Sequence, residues 1–505
     1  MHCLCLHFDA MGTTSEDKIR LIFGLKVAQE RARLGLSLSA LSKKAGLSAS
    51  YLNEIEKGKK YPKAEKIITL AQALEVEYDE LVSTKLKQDL APLGDLMSSK
   101  IFDQIPFSLF GIDTTQIVEL LSKSPAQASS FLGAFMEIAR HYNISESEVY
   151  TAALRSYQEI ANNYFPDIEQ KAQKFAAQHN FNPFVKDADK QLERLLANLF
   201  SYQIDKSTLG SNDLLKGVKS YYTQESGPKL FIEPELSASQ QIFLLAKELG
   251  FNVLDLEKTI RVNTILGKPR IKSFQQILIN LQASYFAGAL LLPKKEVEKD
   301  LGLWFDQETF DASHLKKLSD KWKCTPETLF HRLTNILPQS FGLDVLFFLK
   351  FNQKPEEELP HLERELHLNR KHLPHATKLG AHYCARWSAL KTLKEVVGNE
   401  GGEQFSAHGQ ISEFVENGDC YLVISMGRKI SEATGLATST CLGIYLNAKL
   451  KRKVRWLSDP KLAKKQVNVL CENCAMDCED RLAPPSILER KSLKMEVEDA
   501  LSQLH

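Results

Sequence analysis

The sequence predicts a multidomain protein, mainly α, with an α/β C-terminal part. Three observations lead there. The chain has 505 residues, more than one hydrophobic core sustains, and roughly 100–200 residues per domain implies three or four domains. Residues 18–86 carry five short patterns with apolar positions at helical spacing. From about residue 370 to 470 the pattern turns to strands, in QFSAHGQISEF, CYLVISMG, TCLGIYLNA and KVRWLSD. The expected order is a disordered leader over 1–17, an all-α domain over 18–86, a helical linker or dimerisation region over 87–204, an α/β domain over 205–352 and a strand-rich domain over 353–505.

Composition narrows the function classes. Hydrophobic content of 43% and charged content of 25% are ordinary for a globular protein. A net charge of +1 excludes a polycation, so any nucleic-acid contact must come from a local patch. No apolar run reaches the roughly 18 residues that span a bilayer. The first ten residues, MHCLCLHFDA, have neither the basic region nor the long apolar region of a signal peptide, and Met11 offers an alternative start. Nine cysteines without a secretion signal point to a reducing compartment, hence a cytoplasmic protein without a disulfide framework or membrane partner.

The N-terminal motif is sharp. In LSLSALSKKAGLSASYLNEIEKG (Leu36–Gly58), Ser37 can cap a helix that buries Leu38, Leu41 and Ala45. Gly46 permits the tight turn that follows. Ser48 can cap a second helix with Tyr51, Leu52 and Ile55 inward, and two short helices around a glycine turn make a helix-turn-helix. Residues 18–66 hold 12 Lys or Arg against 4 Asp or Glu, a local excess of +8. Ser48, Ala49, Ser50 and Asn53 are expected to contact a double-stranded operator, Ala49, Ser50, Asn53 and Glu54 being the exposed residues of the recognition helix, and Lys57, Lys59, Lys60 and Lys63 sit where phosphates would lie. This segment resembles the XRE (Cro/C1-type) family, which implies a lambda-repressor-like fold. Ser39 stands in the region where that family often carries a glutamine. One recognition helix covers few base pairs, so a homodimer or homotetramer on a two-fold site is expected.

Further along, Ser129–Tyr142 and Ser145–Tyr164 read as capped helices, LFIEP, FNVLDL and TIRVNTI as short strands, and Ala238–Gly250 and Ser273–Leu292 as helices. Residues 305–352 read as helical, ending in the apolar VLFFLKF, and residues 486–504 as a last amphipathic helix. IFLLAKELGF (Ile242–Phe251) and YFAGALLLP (Tyr285–Pro293) resemble two segments of the ImmA/IrrE zinc peptidases. In that family two histidines and a glutamate hold the metal, and a further glutamate acts as base. Here Lys247, Phe251 and Ala289 stand at the ligand positions and only Glu248 remains, so the resemblance implies a degenerate zinc-peptidase-like domain with no enzyme activity. Glu248→Gln is then expected to leave regulation unchanged.

CENCAMDCEDRLAPP (Cys471–Pro485) places Cys471, Cys474 and Cys478 in one loop. Zinc sites and iron–sulfur clusters both use such spacing, and a fourth ligand must come from elsewhere, Cys384 first among the choices. Cys420 and Cys441 fall in strand patterns and read as core, while Cys3, Cys5 and Cys324 have no companions. His361, His367, His372, His375 and His382 are irregularly spaced and read as a solvated segment with one or two packed rings.

The order of these parts, together with FAGALLLP, TPETLFHRLTNILP (Thr325–Pro338) and the cysteine motif, resembles the short-chain fatty acyl regulators of propionate and acetate metabolism. The resemblance spans nearly the whole chain. It implies a short-chain acyl-CoA effector and, in at least some members, an Fe4S4 cluster, with zinc as the alternative. A CoA needs basic groups for its phosphates, and Lys451, Arg452, Lys453 and Arg455 stand beside Tyr445 and Trp456. Two other readings share features of this sequence. One is a metallopeptidase that cleaves a repressor. The other is a phage or toxin–antitoxin regulator with a structural zinc.

Overall fold

The computed structural model describes residues 15–84, 107–110, 133–134, 137–138, 141, 144–211, 215, 217–257, 261–264, 271–368, 382–398, 405–430 and 435–502. The residues proposed as a leader, apart from Ser15 to Glu16 and Asp17, lie outside these, as do the linker from Lys85 to Ser99, most of Ser129–Tyr142, and His372 and His375. Two compact units result, one from residues 1–157 with 270–278 and the other from 158–269 with 279–505.

Five helices build the described N-terminal part: α1 (Ser15–Arg33), α2 (Leu38–Ala45), α3 (Ala49–Glu56), α4 (Ala64–Leu74) and α5 (Tyr78–Val82). The caps fall where the hydroxyls stand. Ser37 accepts from the Ala40 amide and Ser48 from the Tyr51 amide. Gly46 closes α2 at φ +65°, a conformation in which a side chain is strained. Leu41, Leu52, Ile55, Ile67, Leu70 and Leu74 form the core between them. Arg31 grips Glu56 with two bonds of 2.6 and 2.9 Å, which ties α1 to α3. The first unit also contains most of α6 (Glu146–Ile160), whose Tyr150 packs with Phe274 and Leu278.

The second unit begins with α7 (Pro166–Gln178) and α8 (Ala188–Phe200). A four-stranded sheet follows from β1 (Gln203–Asp205), β2 (Val218–Thr223), β3 (Lys229–Ile232) and β4 (Arg261–Thr264), in the order β1-β3-β2-β4. Its helices are α9 (Ala238–Val253), α10 (Phe274–Leu291), α11 (Lys294–Phe305), α12 (Ser313–Lys321) and α13 (Pro326–Ile336). FNVLDL, expected as a strand, instead completes α9 and turns at Asp255, φ +53°, because the amphipathic run from Ile242 continues unbroken to Val253.

A six-stranded sheet holds the rest: β5 (Leu346–Gln353), β6 (His361–Leu368), β7 (Phe405–Phe414), β8 (Cys420–Lys429), β9 (Ala437–Tyr445) and β10 (Ala463–Val467), in the order β10-β7-β8-β9-β5-β6. All neighbours are antiparallel except β10 and β7. Helix α14 (Ser388–Gly398) lies on one face, among Phe347, Leu349, Tyr421 and Val423. The other face sends Leu346, Phe348, Leu422, Ile424, Leu442 and Ile444 into the main apolar cluster. Covered on both sides, β5 reads as a continuous apolar run with no alternation, which is why VLFFLKF resembles a buried helix in sequence. KVRWLSD, expected as a strand, is the end of α15 (Ala448–Lys453) and a 3-10 turn over Arg455–Ser458, since Asn447 caps the helix through the Leu450 amide. Helix α16 (Ser486–Ser502) closes the described chain.

The expected boundaries at 204/205 and 352/353 do not divide compact units. One apolar cluster runs from Ile168 in α7 through α9–α13 to Trp456. A buried network crosses the first boundary: Arg332 donates to Glu169 at 2.9 and 2.6 Å and to the Leu292 carbonyl at 2.9 Å. Among the described residues no single helix is long and apolar enough to cross a membrane.

Helices α9 and α10 pack closely. A Cβ on Gly250 would lie 2.9 Å from the Ala283 carbonyl oxygen and 3.1 Å from the Phe286 ring. We expect Gly250→Ala to destabilise the protein by about 1–3 kcal/mol despite the better helix propensity of alanine. Urea denaturation followed by circular dichroism would measure it, and an unchanged midpoint would contradict this packing.

Candidate functional site

The helix-turn-helix presents its residues as the sequence pattern requires. Ala49, Ser50 and Asn53 are exposed on α3, with Ser48 at its N-terminus. Glu54 is half-buried instead of exposed, because it accepts an ion pair from Lys60 at 2.8 Å. That pair raises the Lys60 pKa and engages a cation expected to face phosphate. Lys59 is exposed and Lys57 half-buried. Lys66, which the motif did not single out, stands over the Tyr51 ring at 4.4 Å and lines a shallow concavity beside the N-terminus of α3, with Lys60 and Ser50.

The four positions of the peptidase-like motifs lie on α9 and α10. Glu248 is 3% exposed. Arg261 of β4 donates to its carboxylate at 2.5 Å and the Tyr202 hydroxyl at 3.2 Å, while Asn252 donates to the Tyr202 oxygen at 3.0 Å. The guanidinium lies between two rings, 3.8 Å from the Phe251 centroid and 4.0 Å from that of Tyr222. Lys247 is buried beside Phe251, its ammonium 5.8 Å from the centroid. Burial pushes Lys247 down to about 8 and pushes the Tyr202 hydroxyl up. Ala289 is buried on α10. A zinc ion does not fit these residues. The one carboxylate is held by a guanidinium, and the other positions offer a cation, a ring and a methyl group. Sequence reasoning missed Arg261 because it lies 13 residues from Glu248 in a different element, and no local spacing signals it.

Beside this cleft, α13, β5 and β6 bring further charges together. Lys350 is 4% exposed and bonds Glu327 and Glu363, each at 2.8 Å. Arg364 reaches Glu327 at 3.2 Å. Burial works against the Glu327 carboxylate, but Lys350 and Arg364 hold it well below the usual range. Burial pushes Lys219 down, and Lys350 adds to that shift. His331 is pushed by burial, with Arg364 adding, down to about 4.

The four cysteines come from two segments that pair. Tyr383 and Leu470 form an antiparallel bridge. The Cys384 amide donates to Val469 at 3.2 Å, and the Cys471 amide to His382 at 2.9 Å. Cys384, Cys471 and Cys474 are buried and Cys478 is half-buried. Burial pushes the Cys384 thiol up, and the neighbouring Cys471 and Cys474 add to it. His382 is bound to Glu472 at 2.8 Å. Among the described residues no group of three or more His, Cys, Asp or Glu is gathered at metal-ligand distances. The donor set is nonetheless chemically suited to a soft metal centre, with four thiols on two hydrogen-bonded segments.

The basic residues expected to meet CoA separate. Lys451 and Arg455 line a groove of about 590 Å³ with Lys464 and Lys465, above Ile411 and Leu446. Arg452 points away, its Nε donating to the Ala448 carbonyl at 3.3 Å, and Lys453 stands over the Phe341 ring at 5.7 Å. Trp456 is fully buried and donates to the Trp304 carbonyl at 3.0 Å, and Tyr445 packs edge-on against Tyr421, so neither is a ligand platform. Cys420, expected in the core, is half-buried at this groove, whereas Cys441 is buried as expected. Lys464 and Lys465 were missed, since they lie on the exposed edge strand β10 and show no periodicity of their own.

Residues 27–81 match the Helix-turn-helix family, and residues 212–334 the IrrE N-terminal-like domain family. The chain is 21% identical over 353 residues to a propionyl-CoA carboxylase regulator of Cereibacter sphaeroides, covering 66% of this chain and 69% of that one. It is 24% identical over 332 residues to the HTH-type transcriptional regulator RamB of Mycobacterium tuberculosis, 62% of this chain and 65% of that one. It is 22% identical over 345 residues to the HTH-type transcriptional regulator PrpR of the same organism, 65% of this chain and 66% of that one. The match thus spans less than two thirds of the last two proteins.

Removing the guanidinium from Glu248 isolates a buried carboxylate. We expect Arg261→Ala to cost about 3–5 kcal/mol. In a double-mutant cycle with Glu248→Gln the two changes should be strongly non-additive. Additive losses in chemical denaturation would rule out the pair as the lock of this cleft.

Proposed function

We propose that this chain, which joins an XRE-type helix-turn-helix domain to an IrrE N-terminal-like domain, is a DNA-binding transcription regulator of short-chain fatty acid metabolism. The observation that carries the reading is the capped helix α3. It presents Ala49, Ser50 and Asn53 to solvent, and Arg31 and Glu56 hold it to α1. Its similarity to three transcription regulators supports it. A cytoplasmic homodimer or homotetramer would bind half-sites about 34 Å apart.

The peptidase-like domain is inactive in this reading. Its Glu248 cannot serve as a base while Arg261 and Tyr202 hold it, and no metal-activated water is available to it. The effector is a short-chain acyl-CoA. The groove of Lys451, Arg455, Lys464 and Lys465 supports it, with cations for phosphates above an apolar floor. Cys384, Cys471, Cys474 and Cys478 would hold an Fe4S4 cluster or, alternatively, zinc. Either centre would lock the His382–Cys384 segment onto the Leu470 loop.

Operator selection from a random-sequence pool, followed by fluorescence anisotropy, tests the DNA reading. Lys59→Ala should weaken binding to all sequences and lower the salt slope by about one unit. Lys60→Ala should do less, because Glu54 already holds that charge. Asn53→Ala should change sequence preference. A chain lacking any selectable sequence, or indifferent to all three changes, refutes the assignment.

For the ligands, anaerobically purified protein should contain iron and sulfide, and Cys474→Ser should lose both while leaving operator binding intact. Stoichiometric zinc without iron would select the alternative. Propionyl- or acetyl-CoA should bind with a Kd that rises at least tenfold in Lys451→Ala/Arg455→Ala. Calorimetry without heat for any short-chain acyl-CoA would remove the effector.

A further inference from the structure

Two arginines attend the cysteine segments, and the four-thiol reading by itself gives them no role. Arg386 stands two residues after Cys384, on the segment whose Tyr383 pairs with Leu470. Its Nη1 donates to the Met476 Sδ at 3.9 Å. Its Nε is buried and finds no acceptor among the described residues. Arg481 follows the last cysteine of the loop. Its backbone amide donates to the Cys478 carbonyl at 3.2 Å. Its Nη2 donates to the Cys474 carbonyl at 3.4 Å and to the Met476 carbonyl. Both guanidinium groups therefore reach Met476, which lies between Cys474 and Cys478.

Ordinary surface arginines in an acidic loop would pair with its acids. This loop holds Glu472, Asp477, Glu479 and Asp480. Glu472 binds His382, and the other three are exposed. Both arginines are half-buried, and among the described residues neither forms an ion pair with a carboxylate. They are bound instead to main-chain and sulfur atoms between the cysteines. A cation drawn partly out of water, with one donor unmet, is retained only against a compensating gain. Thiolates supply the opposite charge. Around a divalent cation, or a cluster core of the same charge, four of them keep a net charge of about −2.

We propose that Arg386 and Arg481 are positioning residues of the four-cysteine centre, whose guanidinium groups offset the negative charge left on its thiolates when a soft metal is bound. The inference rests on the reading of Cys384, Cys471, Cys474 and Cys478 as one centre, and it holds for zinc and for iron alike. Each of the two cysteine segments brings its own cation, Arg386 with Cys384 and Arg481 with the other three. Partners outside the ligand set commonly tune a metal in this way.

The test uses the full chain, freed of metal with a chelator under reducing conditions and titrated anaerobically with cobalt(II). Cobalt accepts thiolate ligands, and its visible spectrum reports how many it has. Affinity is read by competition with a chelating dye. Arg386→Gln and Arg481→Gln should each weaken cobalt binding about tenfold or more, while the saturated protein keeps the parent's spectrum. Arg386→Lys restores the charge and should recover most of the affinity. Arg490→Gln, the same loss of charge at an exposed position of α16, should bind as the parent does. Equal affinity in the parent and both glutamine variants would overturn the inference and leave the centre standing. A glutamine variant that saturates with a changed spectrum has lost a thiolate, and that outcome, like a failed recovery in Arg386→Lys or an equal loss in Arg490→Gln, would overturn the charge-balancing role. A parent chain that takes up no cobalt, iron or zinc would remove the centre, and this inference with it.

Discussion

A carboxylate 3% exposed must be paired, and in this protein the pairing of Glu248 with Arg261 organises the centre of the second unit. An isolated buried charge costs several kcal/mol, so this carboxylate needs a cation beside it. Here β4 supplies a guanidinium, and the residues around it are arranged for a flat cation. Phe251 and Tyr222 cover its two faces, and Tyr202 and Asn252 complete the hydrogen bonds. Phe251 stands at one of the positions where the resemblance expects a metal ligand, and here it offers a face to the guanidinium.

The elements were legible where caps, turns or β-rich runs mark them locally, and less so where a wholly apolar run leaves strand and helix indistinguishable. Helix-turn-helix boundaries follow from Ser37, Gly46 and Ser48, whose caps are local chemistry and need no tertiary context. Strands β7, β8 and β9 were visible in the sequence, and so were α9 and α10. Strand β5 was not, because Leu346 and Phe348 enter one core while Phe347, Leu349 and Phe351 enter the other. Period two disappears when both faces are apolar, and only chain length then separates a strand from a helix. KVRWLSD failed for the converse reason. Its apolar residues are spaced like a strand, yet Asn447 starts a helix before them and Trp456 is drawn into the core against Trp304 and Phe310.

Charged residues were harder to place than apolar ones, since a sequence shows the sign of a charge and not its partner. Lys60 follows the recognition helix and reads as a phosphate contact, but it folds back onto Glu54. Arg452 and Lys453 belong to the same basic run as Lys451 and Arg455, and helix α15 sends them to different sides. Glu56 carries no signal of its own in the sequence, yet it is the anchor through which Arg31 positions α3. In each case the deciding contact joins residues whose pairing no periodicity encodes.

The cysteine loop shows the same limit and a way past it. Cys471, Cys474 and Cys478 announce themselves by spacing, while Cys384 lies 87 residues before the first of them. What brings them together is backbone pairing. The bridge of Tyr383 to Leu470, flanked by the Cys384–Val469 and His382–Cys471 bonds, fixes the two segments in register before any side chain is considered. Trp387 donates to the Asn468 carbonyl at 2.8 Å, and Asn468 in turn donates to Asn473, so the loop is braced from behind. Burial pushes the Cys384 thiol up, toward its neutral form, and a soft cation bound there would have to reverse that shift.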